Sequence, residues 1–167
     1  DALPINIEGK KVMCMSFYGK EAYGIYRKFS TKAVAHTIKT YSKFSIPYPY
    51  PVAQSVEAAN GMEYPMICFN RPRPEDDGTY PKRTKYGLIG VIIHEVGHNY
   101  FPMIVNSDER QWTWMDEGIN SANEERYVAT KYPQAALVGG KNGPNAISHM
   151  FDLDRYKHEA QYYQGYA

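Results

Sequence analysis

His94-Glu95-Val96-Gly97-His98, preceded by the apolar run Tyr86-Gly87-Leu88-Ile89-Gly90-Val91-Ile92-Ile93, decides how the rest of the chain is read. On an α-helix the two histidines stand one turn apart, so both imidazoles leave one face and can hold one metal ion. Glu95 can then address a water on that metal rather than the metal itself. Leu88, Ile89, Val91, Ile92, Ile93 and Val96 cover nearly the whole circumference, which predicts a buried helix. Polar groups at the end of such a helix need partners, because an unsatisfied one costs on the order of 1–3 kcal/mol. A metal satisfies two histidines at once.

A catalytic zinc site needs three protein ligands and one open position. The third ligand is expected from a separate element. Glu117, in Trp112-Thr113-Trp114-Met115-Asp116-Glu117-Gly118, fits that place, with eighteen residues between it and His98. Two imidazoles and a carboxylate suit zinc. Taken alone, Glu117 also reads as an ordinary carboxylate favoured by a helix N-terminus. Glu124 falls two turns further along the same helix face and either orients a ligand histidine or lies on the surface. His36, His149 and His158 have no spacing partners and read as structural or surface residues.

At 167 residues the chain is sized for one domain with a real core. Its 19 basic residues nearly balance 18 acidic ones, giving net charge +1. That balance argues against nucleic acid or an anionic membrane as the main partner. No run approaches the roughly 18 apolar residues of a membrane span, and no charged-then-apolar leader opens the chain. The compartment is therefore not indicated. Cys14 and Cys68 read as two core thiols, a single bridge being the alternative. Several of the 16 tyrosines come with proline, as in Tyr48-Pro49-Tyr50-Pro51, Tyr64-Pro65 and Tyr80-Pro81. They read as rings packed over extended loops, or as walls of a peptide-binding cleft.

Periodicity predicts a strand over Lys10–Phe17, then a helix capped by Ser30 or Thr31 and ending before Pro47. Val52–Ala58 and Met62–Asn70 read as two strands joined at Asn60-Gly61. Arg71–Lys85, with three prolines and five basic residues, reads as a surface loop. The central helix follows and is stopped by Pro102. A second helix is expected from an Asp116 cap to about Lys131, and a third from Ala146 to about His158. The order implies an α+β fold, with a mixed sheet over about residues 1–70 and a helical part over about 85–167.

His94-Glu95-x-x-His98, eighteen residues and then Glu117 in Trp-Met-Asp-Glu-Gly together resemble the gluzincin metallopeptidases of the aminopeptidase N family. Asn60-Gly61-Met62-Glu63-Tyr64 is similar to that family's exopeptidase motif Gly-x-Met-Glu-Asn, with Asn60 in place of its first glycine and Tyr64 in place of its last asparagine. Phe44-Ser45-Ile46-Pro47-Tyr48-Pro49-Tyr50 is similar to the segment preceding the motif, and the resemblance spans roughly residues 30 to 125.

The resemblance implies a thermolysin-like catalytic domain holding one Zn²⁺ per chain through His94, His98 and Glu117. Glu95 would be the general base. Gly61, Met62 and Glu63 would bind substrate, Glu63 gripping the free α-amino group of a peptide from a cleft-edge strand that pairs with the substrate backbone. An oxyanion tyrosine is implied too, with Tyr166 as the first candidate and Tyr162 the second. Because family members carry further domains on either side, residues 1–167 are expected to be a single truncated catalytic domain. The activity implied is aminopeptidase; a zinc endopeptidase or a non-enzymatic scaffold retaining the fold are the alternatives.

Overall fold

The computed structural model describes residues 1–58 and 61–131. The chain divides into two compact units, Asp1–Asn99 and Tyr100–Ala167.

The first unit is built on a five-stranded mixed sheet. Strands β1 (Ala2–Ile7) and β2 (Lys10–Phe17) form an antiparallel hairpin. Glu8 and Gly9 close it at φ of 48° and 85°, and the Gly9 N–H donates to Asn6 Oδ1 at 2.8 Å. Helix α1 (Tyr23–Phe44) then crosses over to β3 (Val52–Glu57), which runs parallel to β2 with Met13 opposite Val52. Strand β5 (Ile67–Asn70) is parallel to β3, and β4 (Met62–Tyr64) is antiparallel to β5, giving the order β1-β2-β3-β5-β4. Helix α2 (Lys82–Gly97) packs on α1 and β5. The core between helices and sheet includes Val12, Ile25, Val34, Ile38, Leu88, Ile92 and Ile93, all essentially inaccessible. Each such side chain contributes about 1.5–3 kcal/mol by leaving water. Cys14 and Cys68 are buried free thiols, and burial pushes both up to about 12.

An α+β class is borne out, while several boundaries differ from expectation. Strand β1 was not expected. Helix α1 starts at Tyr23, upstream of the supposed Ser30 and Thr31 caps. The Ser30 hydroxyl is engaged instead with Ser16 Oγ at 2.8 Å and Ser55 Oγ at 3.1 Å, across the sheet. The stretch Met62–Asn70 is two strands, because Pro65 and Met66 turn the chain so that Tyr64 faces Ile67. Met66 adopts φ 68°, a conformation seldom used by a side-chain-bearing residue. Asn60 lies outside the described residues. The loop after β5 ends at Pro81, whose extended backbone (ψ 162°) leads directly into Lys82 of α2. This helix ends at Gly97, ahead of Pro102. The following segment, Asn99–Ile104, is a wide helical turn broken at Phe101, which is extended (φ −138°, ψ 109°) as a residue before proline prefers.

In the second unit a wide helical turn, Trp114–Gly118, runs into α3 (Ile119–Lys131). Asp116 sits inside that turn instead of capping the helix. The helix expected from Ala146 to His158, together with His149, Tyr162 and Tyr166, lies outside the described residues. No helix among the described residues is long and apolar enough to cross a membrane.

Candidate metal centre

The last turn of α2 carries both histidines, as the spacing requires. His94 Nε2 and His98 Nε2 stand 3.1 Å apart, with their rings at 89° to one another. Two nitrogens held at zinc–nitrogen distances of 2.0–2.1 Å with a tetrahedral angle would be about 3.3 Å apart. The imidazole pair therefore fits a single zinc ion. His98 is buried and His94 half-buried, so one imidazole lies in the interior and one at the border with solvent.

Glu95 is buried, and its Oε2 has no hydrogen-bond partner among the described residues. Its other neighbours come from β4 and the residue before it. The Glu63 side chain faces Glu95 within hydrogen-bonding reach. Burial pushes Glu95 from its ordinary 4.5 up to about 7; His94 pulls it down, Glu63 pushes it further up, and His98 pulls it down. A carboxylate oxygen of Glu63 also lies within 4.8 Å of a His98 ring nitrogen. Gly61 permits this approach: a Cβ there would stand 2.6 Å from Glu95 Oε1 and 3.1 Å from Val91 Cγ2. Gly61, Glu63, His94, Glu95 and His98 are thus brought together, while Met62 and Tyr64 are exposed on either side of Glu63. The strand that carries them is the outermost on its side of the sheet.

One residue at this place escaped the sequence reading. Asn99 follows His98 and is buried. Its Oδ1 accepts the Met66 N–H at 2.7 Å and the Tyr48 hydroxyl at 3.4 Å, and its Nδ2 donates to Val96 O at 3.1 Å. The available signal was a polar residue between His98 and the aromatic Tyr100-Phe101 pair. Tyr48 itself is fully packed, its one hydroxyl proton shared between Val52 O at 3.0 Å and the more distant Asn99 Oδ1, in keeping with rings packed over an extended loop.

In the second unit Glu117 is half-buried within the wide turn, and Glu124 is half-buried in α3.

No family model matches this chain. It is 23% identical over 163 residues to Aminopeptidase M1-A of Oryza sativa subsp. japonica, an alignment that covers 88% of this chain and 18% of that protein. The chain thus spans less than a fifth of the length of the relative it matches. This weak likeness hints at the aminopeptidase family and suggests a peptidase.

Proposed function

We propose that this chain is the catalytic core of a zinc-dependent aminopeptidase of thermolysin-like architecture, acting on peptides with a free N-terminus. The observation that carries the reading is the paired Nε2 atoms of His94 and His98, 3.1 Å apart, beside a buried Glu95 that Glu63 touches. His94, His98 and Glu117 would hold the ion. When bound, zinc lowers the pKa of its water to about 7 and polarises a carbonyl.

The side chains then have separate tasks. Glu95, pushed up to about 7, takes a proton from the attacking water and passes it to the leaving amine. Its otherwise unpartnered Oε2 is an acceptor available to that water. Glu63 holds the substrate ammonium, a charge-assisted contact available only when the first peptide bond is the one cut. The outer side of β4 is suited to pair with an extended peptide backbone. Tyr166, or Tyr162, would donate to the oxyanion.

Metal analysis of the purified protein, paired with hydrolysis of a free peptide and its N-acetylated twin, tests the reading. One zinc per chain and a strong preference for the free peptide are expected. Equal rates would overturn the aminopeptidase assignment in favour of an endopeptidase; zinc without turnover would leave a scaffold.

A further inference from the structure

We infer that Asn99 is a positioning residue that holds the Glu63 hairpin at a set distance from the histidine end of α2. The inference deepens the aminopeptidase reading and rests on it.

Three elements meet on this one amide. Nδ2 is fastened to α2 through Val96 O, and Oδ1 receives the N–H of Met66, in the turn that joins β4 to β5. The Tyr48 hydroxyl approaches the same oxygen and is anchored to the start of β3 through Val52 O. Met66 is clamped from its other side as well, its carbonyl accepting the Gln54 N–H at 2.9 Å. A positive φ at methionine is strained, so the turn keeps this shape because its surroundings hold it. Asn99 supplies that hold from the helix side.

The consequence falls on Glu63, in the strand that enters this turn. Its side-chain link to Glu95 is one that an incoming ammonium would disturb. The Asn99 bonds are made to backbone groups, so they keep the hairpin registered against α2 while Glu63 changes partner. Without the Oδ1 acceptor, the Met66 N–H loses its partner and the hairpin is free to move away from His98. Amine recognition then weakens before the metal site does.

Asn99→Ala and Asn99→Asp test this. The aspartate retains an acceptor oxygen for Met66 and Tyr48 but gives up the Nδ2 donor to Val96 O, whereas alanine removes both. Zinc content is measured first, then kcat and KM on amino-acid para-nitroanilides. The inhibition constants of the matching hydroxamates are also measured, with free and with acetylated amines. For Asn99→Ala the expected outcome is full zinc content and a KM raised about tenfold, with kcat changed less than about threefold. The free-amine hydroxamate should weaken by a similar factor while the acetylated one holds, and Asn99→Asp should recover part of the loss through its retained acceptor oxygen. Equal weakening of both hydroxamates, an unchanged KM, failure of the aspartate to rescue, or loss of zinc or of folded protein in the alanine variant would each overturn the positioning role. A parent protein that does not distinguish free from acetylated amines brings down the aminopeptidase reading and this inference together. A selective parent with an unaffected alanine variant brings down the inference alone.

Discussion

The first unit gathers polar side chains into two groups, and they are built on opposite plans. Beneath α1, Ser16, Ser30, Ser55 and Asn70 pass hydrogen bonds from β2 through the helix to β3 and β5. The Tyr26 hydroxyl adds a bond to Asn70 O at 2.7 Å. Every member is neutral, and the chain mostly satisfies itself, Asn70 Oδ1 being the one atom of these side chains without a partner among the described residues. At the end of α2, by contrast, Glu63, His94, Glu95 and His98 crowd ionisable groups together. Burial pushes Glu95 up to about 7, and Glu63 beside it adds to the rise. A neutral network of this kind fastens a helix to a sheet. A crowded set of ionisable groups with a buried carboxylate raised toward neutrality is what functional sites tend to contain.

The sharpest way to break that contrast is Glu95→Gln. If the charged cluster is a site, the variant retains zinc by metal analysis and loses about 10²–10⁴-fold in kcat. Parental turnover would reduce the cluster to another structural network. Glu63→Gln should act next most strongly, lowering the preference for free over acetylated peptides by about tenfold or more, since a hydrogen bond to a charged group is lost. Kinetics on the paired substrates would show it.

Titration distinguishes the two groups without any substrate. With Glu95 raised above its ordinary 4.5 to about 7, the folded metal-free protein keeps a proton that the unfolded chain has already released. Stability contributed this way is present at low pH and is lost as pH rises from about 4.5 through 7. Melting temperatures of the metal-free protein across that range should therefore fall, and the Glu95→Gln variant should lose this slope. The smallest effect is expected from the neutral network. Ser30→Ala leaves Ser16 and Ser55 short of a partner and should cost about 1–3 kcal/mol in denaturant unfolding, without altering zinc content or KM.

Legibility in the sequence followed the range of the interactions involved. Strand β2 was visible at its true bounds because its alternation is local, and the His94–His98 spacing predicted a real one-turn pairing for the same reason. Ser30 misled because its hydroxyl has the chemistry of a cap, and nothing nearby in the chain reveals Ser16 and Ser55 as its partners. The break at Pro65-Met66 was hidden because its second residue is a methionine at positive φ, where glycine or asparagine would have announced the turn. Strand β1 alternates Leu3, Ile5 and Ile7, but Pro4 interrupts what would have been a strand signature. Gly61 and Glu63 could be named from their likeness to a motif. That Gly61 makes room for the Glu95 carboxylate, and that Asn99 fastens the neighbouring turn, are tertiary facts with no local trace.

Both borders of the sheet bear on how the molecule behaves in company. Strand β1 contains Pro4, which has no N–H to offer a neighbour, and β4 is only three residues long with an ionisable side chain at its centre. Sheets guarded in these ways resist stacking edge to edge with copies of themselves. If β4 pairs with a peptide as proposed, so short a border would hold only a few of its residues, and lengthening the peptide much past three residues should add little further main-chain hold.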